Sequence, residues 1–223
     1  MNMLLHKKCR TVVAFGAMAL VVGGCSGSSS AARDEFAVRP IPSFAATDAV
    51  SKSLFERGAA MSPTLAAQLP TTGTATYTGA VAYVDSNTSF VPVDEGFSGY
   101  ERYLVNNADY VSRIQMTANL AGDSVAGSMD GFRDSSNGGY RIGITFNGQI
   151  VESKDKTAAF SGTLQGTNEV RKGEGFETLN FGGTIKGNFL GSRGDTVQGS
   201  LAIKRGFDGK QDGDVFGAFT AEQ

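Results

Sequence analysis

The chain is poor in the side chains on which most enzymes depend. Among 223 residues there is one histidine, two cysteines and no tryptophan. His6 and Cys9 lie at the amino terminus, in a stretch read below as a cleaved signal. Beyond it the chain holds no histidine and a single cysteine, Cys25. These absences exclude a Ser-His-Asp or Cys-His nucleophile, a zinc site of the His/Cys kind and an intrachain disulfide. The carboxylates, lysines, serines and tyrosines that remain show no spacing that suggests catalysis. The sequence therefore predicts no catalytic residue, no cofactor and no metal ligand, and the chain reads as a non-enzyme. Long apolar runs are missing too. The longest, Thr11 to Val22, falls short of the roughly 20 residues a membrane-spanning helix needs.

Positive charge is also scarce. The formal net charge is −2, and loss of Lys7, Lys8 and Arg10 with the signal leaves 17 basic against 22 acidic residues, a net of −5. That balance gives no basic footprint for nucleic acid and no polybasic patch for a membrane surface. Membrane attachment must then come from a lipid.

The amino terminus supplies one. Lys7, Lys8 and Arg10 form a positive segment, Thr11 to Val22 an apolar one, and Gly23-Gly24-Cys25 a small-residue cleavage site ending in cysteine. This is the pattern of a bacterial lipoprotein signal, cut before Cys25, whose thiol then carries the lipid. The alternative is an ordinary secretory signal with Cys25 near the cut. Ser26, where an aspartate would favour inner-membrane retention, points to the outer membrane. Several acyl chains on one residue satisfy the two-signal requirement for stable anchoring.

Thirty glycines, five prolines and 40% apolar residues fit a compact all-β protein rather than disorder. Three regions are expected: a signal at 1–24, a tether and linker at 25–70, and a barrel domain at 71–223. Ser26 to Arg33 is a Ser/Gly/Ala-rich tether. Thr47 to Gly58 is expected as a short helix with Thr47 as its N-cap, or else as loosely ordered linker. Met61 to Pro70 is expected to lie against the domain through Leu65 and Leu69.

From Gly73 onward the apolar period becomes two. Strands are predicted at Gly73–Val84, Tyr110–Leu120, Ser124–Phe132, Arg141–Val151, Ala158–Gly166, Asn180–Leu190, Thr196–Arg205 and Asp214–Ala221. A signature recurs in them: Tyr77-x-Gly79-x-Val81, Val125-x-Gly127-x-Met129, Phe160-x-Gly162-x-Leu164, Phe181-x-Gly183-x-Ile185, Val197-x-Gly199-x-Leu201 and Val215-x-Gly217-x-Phe219. Each puts two apolar residues and a glycine on one face, with Thr, Ser, Gln and Lys on the other. A glycine inside a strand costs about 0.5–1 kcal/mol against alanine, so its repetition needs a geometric reason. Glycine permits sharp coiling and leaves room for large neighbours. The expectation is a small, closed, eight-stranded antiparallel β-barrel with a filled interior, about the size that side chains just fill. A polar outer face argues against a membrane-spanning barrel.

The run Leu69-Pro70-Thr71-Thr72-Gly73-Thr74-Ala75-Thr76-Tyr77-Thr78-Gly79, the Gly-x-apolar strands and the ending Gly213-Asp214-Val215-Phe216-Gly217-Ala218-Phe219 resemble the barrel domain of transferrin-binding protein B-like lipoproteins. The same barrel occurs in the related factor H-binding protein. The resemblance covers roughly Leu69 to the end. It implies a lipid-anchored outer-membrane protein that binds rather than catalyses. The family's transferrin-contacting parts have no residue-by-residue match in this chain.

Asp85 to Asp109 is expected to be irregular, and its Phe90, Phe97, Tyr100 and Tyr103 are the candidate binding residues; the alternative is that they cap an open barrel end. Asp208 to Asp214 lacks the ligand spacing of a calcium loop and reads as a hairpin turn, as does Arg171 to Glu174. The sequence thus reads as a non-catalytic binding lipoprotein with a protein or solute partner, lipid-anchored through Cys25 and facing the periplasm or the cell surface. A lipocalin-like small-molecule carrier and a structural envelope lipoprotein are the alternatives.

Overall fold

Tyr77, Val81 and Tyr83 on one side of the first strand, and Thr76 and Thr78 on the other, set the pattern from which the barrel is built. The computed structural model describes residues 42–87, 97–140, 142–172, 175–207 and 210–223. Cys25, the signal, the tether and Phe90 lie outside them. Nine strands follow in order: β1 (Thr74–Asp85), β2 (Tyr110–Asn119), β3 (Ser124–Asp134), β4 (Gly139–Tyr140), β5 (Ile144–Glu152), β6 (Ala158–Lys172), β7 (Gly175–Leu190), β8 (Thr196–Phe207) and β9 (Lys210–Glu222). All pairings are antiparallel. β1 pairs with both β2 and β9, and β3 pairs with β2 and β5, so the sheet closes on itself; two-residue β4 is an appendage on β3. The expected eight-stranded antiparallel barrel is therefore the fold.

The repeated glycines point inward, and the reason is close approach of neighbouring strands. A Cβ on Gly79 would lie 2.0 Å from the Thr220 carbonyl oxygen, and one on Gly199 would lie 2.0 Å from that of Lys186. Gly127 meets both a strand and a ring: its Cβ would sit 2.3 Å from the Gln115 carbonyl oxygen and 2.4 Å from Cζ of Phe146. Aromatic rings fill the space so released. Phe160 meets Phe189 and Phe219, each with ring centroids 6.2 Å apart, and Tyr77 meets Phe189 at 6.1 Å. Edge and tilted contacts of this kind add about 0.5–1.5 kcal/mol beyond area burial.

A bulge opposite Ser112 resets the alternation of β3. Gly131 takes φ 68 there, a left-handed value suited to glycine. The extra residue turns Phe132 inward, where its ring lies 5.4 Å from that of Tyr83.

The hairpins β6–β7 and β8–β9 run longer than the sequence pattern predicts. Pairing continues to Lys172↔Gly175 and Phe207↔Lys210, whereas β5 meets β6 only as far as Ile144↔Gly166. Beyond that point partner strands replace the core as the stabilising contact, so apolar alternation no longer marks the ends.

The helix expected at Thr47 to Gly58 is present and longer. This first helix spans Phe44–Ala59, and its N-cap is Ser43, whose Oγ accepts the Ala46 N–H at 3.2 Å. Thr47 is one turn inside and buried. Residues 61–70 then cross one end of the barrel. Pro63 bridges to Leu190, Leu65 bridges to Thr157, and the Thr64 hydroxyl donates to the Gly191 carbonyl at 2.6 Å. Leu69 packs on the core as expected, but Leu65 holds on through its backbone bridge and is 45% exposed.

The outer face is not uniformly wet. Ala80, Ala82 and Val84 of β1, Val111 of β2, and Ala218 of β9 point outward and are buried. Two helices cover them: the first helix and a second one, Phe97–Asn106, in the β1–β2 connection. Small outward side chains let a helix sit close to the sheet. Phe55, Leu104 and Val105 fill the seam as a second apolar cluster, separate from the barrel interior.

Candidate functional site

Most neighbouring barrel strands are joined by brief turns, such as residues 120–123, 153–157 and 191–195. The β1–β2 connection, residues 86–109, is the exception, since Tyr83 already pairs with Tyr110 at its base. The segment is therefore surplus to the ladder. Residues 88–96 lie outside the described residues; the described Phe97–Asn106 is helical, not irregular as expected: Glu101, Leu104 and Val105 recur at the i, i+3, i+4 spacing of one helix face and all three are buried.

The four candidate binding residues distribute as follows. Phe90 lies outside the described residues. Phe97 begins the second helix. Tyr100 and Tyr103 are half-buried on the flanks of that helix and pack against the cluster of Phe55, Leu104 and Val105. The structure thus brings Tyr100 and Tyr103 together on an outer wall of the barrel.

Between the tyrosines the helix carries two charged residues with opposite fates. Arg102 faces outward, pairs with Glu56 of the first helix, and places its guanidinium 5.4 Å from the ring centre of Phe55. Glu101 faces the barrel and is 1% exposed. Its Oε1 has no hydrogen-bond partner among the described residues. Burial pushes its carboxyl up to about 8, with the Lys186 charge pulling the other way. Sequence reasoning passed over Glu101. Its signal was a lone acid at apolar helix spacing, Glu101-x-x-Leu104-Val105.

The first helix is fixed at both ends. Its first amide, Phe44 N–H, donates to Asn137 Oδ1 at 2.8 Å. Asn137 stands in a turn at φ 64 that Asp134 organises. Asp134 Oδ1 accepts the Ser136 and Gly138 amides at 2.9 and 2.7 Å, and Oδ2 accepts the Tyr140 hydroxyl at 2.8 Å. These bonds, the tyrosine's foremost, hold the carboxyl below its usual range. At the other end Gln198 Nε2 donates to the Phe55 carbonyl and to Thr220 Oγ1, each at 3.2 Å. Arg57 donates from Nε and Nη2 to the two carboxylate oxygens of Glu222, at 3.0 and 2.9 Å.

Two further features bear on the alternative readings. The barrel interior is occupied by Tyr77, Phe146, Phe160, Phe189 and Phe219, each at most 1% exposed. A recess of about 330 Å³ lies instead at the barrel end beneath residues 66–71, lined by Leu69, Pro70, Leu120, Ile150, Val151 and Ala158. No group of three or more His, Cys, Asp or Glu that could hold a metal occurs among the described residues. Nor does any described helix have the length and apolar character to cross a membrane.

No protein-family model and no curated protein matches the chain. Among solved structures the chain is similar to a tryptophan-to-alanine mutant of the vaccine antigen transferrin binding protein B from Haemophilus parasuis Hp5. Identity is 16% and the TM-score 0.46, over 72% of this chain and 28% of that one. The matched region is thus less than a third of that protein's length.

Proposed function

We propose that the chain is a non-catalytic binding lipoprotein, lipid-anchored through Cys25 at the outer membrane, that engages a protein or solute ligand with the β1–β2 connection. One observation carries the binding surface. The connection at 86–109 is not needed to join its strands, yet it bears a helix with Tyr100 and Tyr103 on its flanks and Arg102 exposed beside them. Tyrosine and arginine are the residue types enriched where proteins meet partners. The anchor rests on Val22-Gly23-Gly24-Cys25. The non-catalytic reading rests on the lack of histidine, and of any cysteine other than Cys25, beyond the signal. Packing of aromatic rings in the barrel favours binding on the outside over a carrier function inside.

Metabolic labelling with palmitate and membrane fractionation test the anchor. The wild type should be labelled and sediment with outer membranes, and Cys25→Ser should be unlabelled and released; a sedimenting, labelled Cys25→Ser protein refutes it. Protease treatment of intact cells then distinguishes the cell surface from the periplasm. For the binding surface, the anchored protein is crosslinked in cells and its partners identified. Arg102→Ala, which breaks only a solvent-exposed pair with Glu56 worth under about 1 kcal/mol, should weaken the crosslink to the partner while the thermal midpoint nearly holds. An unchanged crosslink rejects this surface.

A further inference from the structure

We infer that Glu101 is a proton-operated latch, holding the second helix on the barrel wall when its carboxyl is protonated and letting it go when the carboxyl ionises. The latch is independent of whether the helix meets a ligand. Four observations lead to it. First, Glu101 is almost wholly buried, at 1% exposure, and its Oε1 finds no donor among the described residues. A buried carboxylate without partners is strongly disfavoured, whereas the neutral acid is tolerated. Second, the outward positions of the strands beneath the helix do not ionise: Ala82 and Val84 on β1, Phe216 and Ala218 on β9; the neighbouring outward positions of β8, Ser200 and Ala202, do not either.

Third, the surrounding charges give Glu101 little compensation. On the first helix Lys52 pairs with Asp48, Arg57 with Glu222, and Glu56 with Arg102 of the second helix itself. Further along the strands the outward ionisable groups among the described side chains are Asp214, Lys204 and Lys186. Lys186 is the cation whose field reaches Glu101; its own side chain is exposed, and its pull is weaker than the effect of burial. Fourth, the helix can leave without disturbing the barrel. β1 and β2 pair directly from Thr74↔Asn119 to Tyr83↔Tyr110, so no ladder bond is lost when the connection lifts. Among the described contacts, Leu104, Val105, the flanking tyrosines and the Arg102–Glu56 pair hold the helix.

The direction follows from proton linkage. A released Glu101 titrates near its ordinary value of 4.5, and a docked one near 8. Between these limits the docked state holds a proton that the released state has lost, so docking weakens as pH rises. Docking is at full strength below about 4.5 and has lost this contribution above about 8. Each pH unit inside the window shifts the docking equilibrium by up to about tenfold toward release.

Hydrogen exchange on the full chain with NMR detection tests the latch between pH 5 and 9. The protection factors of Leu104 and Val105 amides, corrected for intrinsic exchange, should fall by up to tenfold per pH unit to about 8 and then level. Those of Ile114 and Met116 in β2 should stay constant. Glu101→Gln should flatten the helix profile, and Lys186→Gln should carry the fall to higher pH. A Glu101→Gln protein that keeps the wild-type slope overturns the latch, as does a parallel fall in the β2 amides. Should Glu101→Gln fail to fold, the side-chain carboxyl carbon of Glu101 in the wild type decides. Titration well above 6 supports the latch, and titration below 5 overturns it.

Discussion

Gly182 and Gly183 are adjacent residues of β7 whose side-chain directions are opposite, and they offer the sharpest test of why the strands carry glycine. A Cβ on Gly183 would lie 2.0 Å from the Ala202 carbonyl oxygen of β8, while one on Gly182 would meet nothing within 4 Å. Carbon–oxygen contacts between strands normally run to about 3.3 Å or more, so Gly183→Ala forces β7 and β8 apart by about 1 Å locally. Neither strand can yield freely. β8 is hydrogen-bonded on its far side to β9, and β7 to β6. Overpacking of this kind costs about 1–3 kcal/mol, and a clash with paired backbone belongs at the upper end, about 3 kcal/mol. Gly182→Ala meets no clash and removes the strand penalty of glycine, so it should be neutral or stabilise by up to about 1 kcal/mol. The assay is urea unfolding of residues 42–223 followed by far-UV circular dichroism, with a thermal scan alongside. At about 2–4 °C per kcal/mol for a domain of this size, Gly183→Ala should lose about 6–12 °C and Gly182→Ala should hold or gain slightly. Equal stabilities of the two variants, within about 0.5 kcal/mol, would refute close strand approach as the reason for the inward glycines.

Three other substitutions probe the supports around the barrel. Phe55→Ala empties the seam between the first helix, the second helix and β1, and should cost about 3–5 kcal/mol in the same urea assay, since Phe55 is 2% exposed. Tyr83→Phe removes the hydrogen bond shared with the Ser112 hydroxyl at 2.8 Å and should cost about 1 kcal/mol. Burial raises the Tyr83 phenol, so alkaline ultraviolet titration of the wild type should show this tyrosine ionising only as the fold is lost. Arg57→Ala breaks a bidentate but solvent-exposed pair with Glu222 and should cost under about 1 kcal/mol, shrinking as salt is added.

The strands were legible because their two faces meet different surroundings. Residues such as Phe160, Leu164 and Ile185 had to alternate to fill a closed interior, and the glycines among them marked places where a neighbour's backbone or ring comes near. The strand ends beyond Gly166 and Arg205 were not legible, because there strand pairs with strand above the core and no apolar alternation is required. The helix at Phe44–Ala59 was visible in outline, although its cap fell on Ser43 rather than Thr47. The outer cluster was missed for a physical reason. Ala80, Ala82 and Ala218 are too small to announce a buried face, and only a helix lying on them explains their burial. For the same reason the segment around Tyr100 looked like loop, although Glu101, Leu104 and Val105 already had helical spacing.

The sequence by itself determined the class of fold and the inward-facing set of residues, because each follows from local periodicity. It also carried the run Val22-Gly23-Gly24-Cys25 on which the proposed lipid anchor rests, a feature of the linear chain. Tertiary structure alone decided that the helix Phe97–Asn106 lies on β1 and β9, and that Glu101 ends there buried, its Oε1 without a hydrogen-bond partner among the described residues, rather than in solvent. Those outcomes depend on which distant surfaces meet. The environment of a carboxyl group is set by the residues that close over it, and here these come from β1, β9 and both helices, far apart in the chain.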